Sequence, residues 1–215
     1  MSLTMIYDLL VATGETIYMV LASTIFAIIL GLPLGTILFT SGKIKPNTTL
    51  NRLIAGLINF SRSIPFIILL VALIPFTRLI VGTSIGIHAA MVPLTLGATP
   101  FFARLVDNVY QSIPSGLIEA GFAMGASTWQ TIRHILLPEA MPSLINATTV
   151  TAITLVNYSA MAGTVGGGGL GDLAIRYGYQ RFNVSVMIAT VLILVIIVQL
   201  LQTGGDRLAR RFLHD

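Results

Sequence analysis

Residues 184–202 carry no charged side chain and are rich in Ile, Leu and Val. A run of that length matches the roughly 20 apolar residues a helix needs to cross the hydrocarbon of a bilayer. In hydrocarbon every backbone N–H and C=O must be satisfied within the protein, which narrows a single-chain spanning architecture to helices or a closed barrel. Four further stretches share this character, at about residues 17–39, 53–76, 84–105 and 144–165. Only 9% of the chain is charged and 55% is hydrophobic, whereas a soluble domain carries about 25% charged residues. The expectation is an all-α polytopic membrane protein with five transmembrane helices, forming a single domain over residues 1–215. The 184–202 span is the cleanest and is expected to face lipid.

The other spans are interrupted in informative ways. Residues 1–13 read as a short amphipathic lead-in, with Ile6, Leu9 and Leu10 on one side. No Lys or Arg precedes Lys43, so the basic start of a cleaved signal is missing and the first span is expected to stay in the membrane. Gly31, Pro33 and Gly35 predict a bend near the end of that span. Ser61, Arg62, Ser63 and Pro65 interrupt the second, where Arg62 either snorkels towards the headgroups or belongs to a transport path. Pro93, Gly97 and Pro100 predict a kinked or broken third span. The fourth is the most polar, and Thr154, Asn157 and Met161 fall on one helical stripe beside Tyr158. Its Thr and Asn side chains either bond between helices or line the route of a polar substrate.

Gly166, Gly167, Gly168 and Gly169 superficially resemble a phosphate-cradling loop. No strand precedes them and no Lys-Ser or Lys-Thr pair follows, so with Gly163 they read as a hinge or tight turn at the membrane face. Arg176, Tyr177, Tyr179 and Arg181 then form either an interfacial belt or a contact for an external partner. With the amino terminus outside, Lys43, Lys45, Arg52, Arg104, Arg133, Arg207, Arg210 and Arg211 collect on one side and Arg78, Arg176 and Arg181 on the other. Basic residues concentrate in cytoplasmic loops, so the first side is expected inside, together with the carboxyl terminus. The net charge of +4 therefore reports orientation, and no nucleic-acid partner is expected.

No catalytic site assembles from these residues. Cysteine is absent, and His88, His134 and His214 lie in different segments without metal-ligand spacing. Asp8, Glu15, Asp107, Glu119, Glu139, Asp172, Asp206 and Asp215 all fall at span ends or in loops, which leaves no intramembrane carboxylate to couple a proton or sodium gradient. No cofactor or metal is expected, and the energy for any transport must come from elsewhere.

Residues 119–138 are polar and punctuated amid apolar neighbours. Pro114 suits a first helical turn and Gly125 a position just past a helix end. Ser127 and Gln130 have the spacing of a capping box that opens a second helix, and Pro138 is expected to break it. Ala120, Gly121 and Ala123 would leave the first helix a surface of small residues open to close approach.

The pattern Glu119-Ala120-Gly121, three residues, Gly125, nine residues, Ile135-x-Leu137-Pro138 resembles the cytoplasmic loop signature of permease subunits of bacterial ATP-binding-cassette importers. Gly121 departs from an alanine in that pattern. Arg62-Ser63-Ile64-Pro65-Phe66, and Asn157-Tyr158-Ser159-Ala160-Met161-Ala162-Gly163 before the glycine cluster, are similar to the permeases of methionine importers. The resemblance implies a type I importer fold in the bacterial inner membrane, with a coupling helix within a loop at about 112–140. It also implies a homodimer among membrane lipids, two copies of an ATP-hydrolysing subunit inside the cell, and an external methionine-binding lipoprotein. Glu119, Ala120, Gly121 and Gly125 would dock the ATPase while Ile135, Leu137 and Pro138 fix the loop, and the chain itself would hydrolyse nothing. Its cargo would be D- or L-methionine or both; the alternatives are another amino acid, or a polytopic membrane enzyme or structural subunit.

Overall fold

A computed structural model describes residues 3–212. His214 and Asp215 lie outside the described residues. Among those described, all regular structure is helical. Helix α1 spans Leu3–Phe39 and continues through a π-helical turn, Thr40–Ile44. The lead-in is thus no separate element. Nothing in residues 3–16 breaks a helix, and Thr13 returns its hydroxyl to the Leu9 carbonyl at 2.6 Å. The helix also passes Pro33 unbroken.

Helices α2 (Thr48–Ser63) and α3 (Phe66–Ala72) meet at a 99° bend. Pro65 forces Ile64 out of the helical region, to φ −84° and ψ 124°. Helix α4 (Ile74–Val81) follows, and α5 (Ile87–Gln111) is one helix through both Pro93 and Pro100. The expected kink or break does not interrupt the helix: both prolines are buried among neighbouring elements, a setting in which membrane helices tolerate proline. Two short helices, α6 (Ser115–Ala123) and α7 (Thr128–Thr131), lead through a π-helical turn at Ile132–Leu136 into α8 (Leu137–Gly163). Helix α9 (Gly169–Leu173) precedes α10 (Val184–Arg210).

Helices α1, α5 and α10 are long and apolar enough to span a membrane, and α2 with α3 qualifies as a bent fourth span. The 27-residue α8 reaches about 40 Å at 1.5 Å per residue but is more polar than these. It packs among α1, α5 and α10, and its Thr149, Thr151 and Ser159 are buried.

Helices α1 and α5 run parallel. Tyr18 meets His88 edge to face near one end, and Phe39 meets Tyr110 near the other. Between them Gly31 and Gly35 sit one turn apart against α5. A methyl at Gly31 would come 2.9 Å from the Thr99 carbonyl, and one at Gly35 would overlap the Ala103 carbonyl and Val106. These glycines therefore serve close helix contact, as small residues spaced by four do within membranes.

Candidate coupling surface and translocation path

The α6–α7 hairpin is specified locally at both joints. Gly125 adopts φ +82°, and the Gly125 and Ala126 amides donate to the Phe122 and Gly121 carbonyls at 2.9 and 3.0 Å, a Schellman ending that only a left-handed residue permits. Ser127 then caps α7. Its hydroxyl accepts from the Gln130 amide, and the Gln130 side chain accepts from the Ser127 amide at 2.8 Å.

Glu119, Ala120 and Ala123 are exposed, as the small-residue pattern predicts, but Gly121 is buried. A methyl group there would overlap Ile135 Cδ1, so the glycine makes room for the second arm of the hairpin and does not face outwards. The outward surface instead carries Leu117, Phe122, Met124 and Trp129, the last 65% exposed. Large apolar groups gathered beside polar residues mark an interaction surface.

The seam to the membrane helices also differs from expectation. Pro138 does not break the chain: the π-helical turn inserts one extra residue, and Pro138 enters the first turn of α8, where it needs no amide partner. That extra residue rotates the register, so Leu136 is fully buried while Ile135 and Leu137 are only partly so. Leu136 joins Phe39, Phe102, Val106, Tyr110, Ala140 and Leu144, with Ile118, Ile132 and Leu137 packed around them. Reading the turn as regular α-helix hides Leu136; the proline after a run of large apolar residues is the signal that a π-helical turn could be needed.

Nearby, Arg104 pairs with the buried Asp107 at 3.0 Å and donates to Asn59 Oδ1 at 3.0 Å, tying α5 to α2. Gln111 donates to the same carboxylate at 2.9 Å.

On α8, Thr154, Asn157 and Met161 lie on a side that α1, α5 and α10 leave uncovered: Asn157 is exposed, Met161 is 45% exposed, and Thr154 is partly so. The Thr154 hydroxyl returns to the Val150 carbonyl at 2.8 Å and makes no bond between helices. Tyr158 points elsewhere and stacks flat on Phe66, with ring centres 4.2 Å apart and 3° between planes.

The glycine turn after α8 is held at several points. Gly166, Gly168 and Gly169 take φ of +84°, +79° and +72°. The Gly86 amide donates to the Gly166 carbonyl, and the Gly167 amide to that of Ala162. Across 154 residues of sequence, Glu15 accepts from the Gly169 amide at 2.8 Å and Thr16 from that of Leu170 at 2.8 Å. Gly163 abuts the backbone of Gly171, leaving no room for a methyl group. Arg176 pairs with Asp172, and that hydrogen bond is the main cause raising the guanidinium pKa above its usual value.

The model of binding-protein-dependent transport system inner membrane components matches residues 27–214. The chain belongs to this family. It is a multi-pass permease subunit of the ATP-binding-cassette importer class. A relative described as a probable D-methionine transport system permease protein of Vibrio cholerae is 52% identical over 208 residues, 96% of this chain and 92% of its own length. The D-methionine transport system permease protein of Escherichia coli K12 is 54% identical over 165 residues, 76% of each chain. Among solved structures, a methionine ABC transporter in inward-facing conformations matches with a TM-score of 0.98 at 51% identity over 100% of both chains. An amino acid ABC transporter solved with histidines matches with a TM-score of 0.74 at 19% identity over 96% and 93%, a likeness of fold.

Proposed function

We propose that the chain forms, as a homodimer, the membrane pathway of an ATP-driven importer of D- or L-methionine. The observation that carries this reading is the α6–α7 hairpin, an uncovered apolar surface with rigid joints, on a chain whose helix carboxylates Glu15 and Asp107 are already engaged by the Gly169 amide and by Arg104 and Gln111. Such a transporter receives its force from outside itself. Two copies of an ATPase subunit would grip Glu119, Ala120 and the apolar residues around them, with Gly125 setting the hairpin angle and Gly121, Ile135, Leu137 and Pro138 holding it to α8.

Closure of the ATPases would draw the two hairpins together and tilt the spans as rigid bodies. The Thr154, Asn157 and Met161 sides of the two α8 helices would flank the route, with Tyr158 beside it and Met161 as an apolar gate. The turn through Gly163, Gly166, Gly167, Gly168 and Gly169 would be the outer pivot. The likeness to inward-facing methionine transporters supports assigning the present arrangement to the inward-open state. In this reading the hairpin and basic ends lie inside, and the amino terminus, facing a methionine-binding lipoprotein, lies outside. ATP would be hydrolysed by the partner alone, and the domain would span residues 1–215.

The test is uptake of labelled D- and L-methionine into liposomes holding the chain with its ATPase and binding protein. ATP-dependent accumulation of either enantiomer supports the reading. Accumulation of a different amino acid with neither enantiomer moved would replace the substrate, and ATP-independent flux would overturn the class.

A further inference from the structure

At the bend between α2 and α3 lies a cavity of about 220 Å3, bordered by Ser61, Arg62, Phe66, Gly97, Phe101 and Tyr158. Its depth follows from α5, a 25-residue helix about 37 Å long in which Gly97 sits ten residues, or about 15 Å, from the start. The cavity is therefore near mid-membrane, where an ionisable side chain marks a functional site whose partner has to be found. Among the described residues no carboxylate pairs with Arg62: the two ion pairs there are Arg104 with Asp107 and Arg176 with Asp172. The lining combines this cation with the Phe66–Tyr158 stack and Phe101, and Gly97 keeps the wall low, since a methyl group there would press 3.3 Å from Phe66. Tyr158 belongs to α8, one residue from Asn157 on the uncovered side.

We infer that this cavity is a binding site for a free amino acid inside the permease, with the α-carboxylate on Arg62 and an apolar side chain against Phe66, Phe101 and Tyr158. A guanidinium suits a carboxylate because its planar fork donates two parallel hydrogen bonds. A thioether side chain suits the aromatic wall, because sulfur packs favourably at ring edges. Ser61 adds little polar selectivity, since its hydroxyl already donates to the Leu57 carbonyl at 2.9 Å. The inference deepens the reading of the chain as an amino-acid permease and rests on it.

The chain has no cysteine, so Ser61→Cys supplies a single thiol on the cavity wall. In the nucleotide-free complex with its ATPase, held in lipid discs, methionine should slow alkylation of this thiol and methionine methyl ester should not. Adding Arg62→Gln should weaken that protection about tenfold or more, the worth of a charge-assisted pair, and Arg62→Lys should restore part of it. Equal protection by the ester, protection unaffected by Arg62→Gln, or a thiol that never reacts would each overturn the site. So would protection that tracks the anionic-lipid content of the discs and ignores methionine, which would make Arg62 a lipid contact. If the wild-type complex takes up methionine and the thiol is unprotected, only the site fails. If a different amino acid is both transported and protective, the substrate assignment fails and the site stands.

Discussion

At the scale of single residues, the glycines separate into those that packing requires and those it does not. Gly35 lies against the Ala103 backbone, which cannot yield as a side-chain tip can. Gly35→Val is expected to cost about 1–3 kcal/mol as an overpacked helix contact, read as a lower unfolding temperature in detergent. Gly14 has open space around it, so Gly14→Ala should leave that temperature unchanged or raise it. Gly121 is intermediate: the clash there is with the tip of Ile135, which can swing away, so Gly121→Ala should cost no more than about 1.5 kcal/mol. Glu15 and Thr16 each accept a backbone amide from the first turn of α9. Removing both, in Glu15→Ala with Thr16→Val, strands two donors at about 1–3 kcal/mol each. Hydrogen exchange at Gly169 and Leu170 should then accelerate while that of α5 is preserved.

At the scale of elements, the hairpin can be weakened from inside or blocked from outside, and the two differ in outcome. Ser127→Ala removes one bond of the capping box and should cost about 0.5–2 kcal/mol. The change should appear as faster exchange over residues 127–131, with the π-helical seam at Leu136 still protected by the core around it. Ala120→Arg places a bulky charge on the exposed side of α6 and touches no core contact. It should leave the fold intact and abolish stimulation of ATP hydrolysis by the binding protein; unchanged stimulation would remove α6 from the coupling surface. The joints themselves are readable from sequence, because a left-handed glycine and a capping box involve only residues within a few positions of each other. The register beyond them is not. A π-helical turn shifts every following side chain, so Leu136 occupies the buried position that regular periodicity assigns elsewhere.

At the scale of the whole molecule, the uncovered side of α8 determines what a single copy can do. Thr154, Asn157 and Met161 are left at least partly exposed by α1, α5 and α10, so under the proposed function a second copy would close the route across that side. Met161→Cys, in a chain without other thiols, should react with a membrane-impermeant reagent at a rate that changes between nucleotide-free and ATP-bound complexes. A rate independent of nucleotide would exclude Met161 as the gate. The helical class, the membrane setting and the two joints of the hairpin, at Gly125 and Ser127, were determined by sequence alone. Apolar length, caps and glycine conformations are local properties that act before any helix meets another. Tertiary structure decided the rest. Whether Pro93, Pro100 and Pro138 break a helix, whether Gly121 faces a partner or Ile135, and whether Arg62 meets lipid or borders a cavity depend on what lies across from each residue, and only packed helices supply that neighbour.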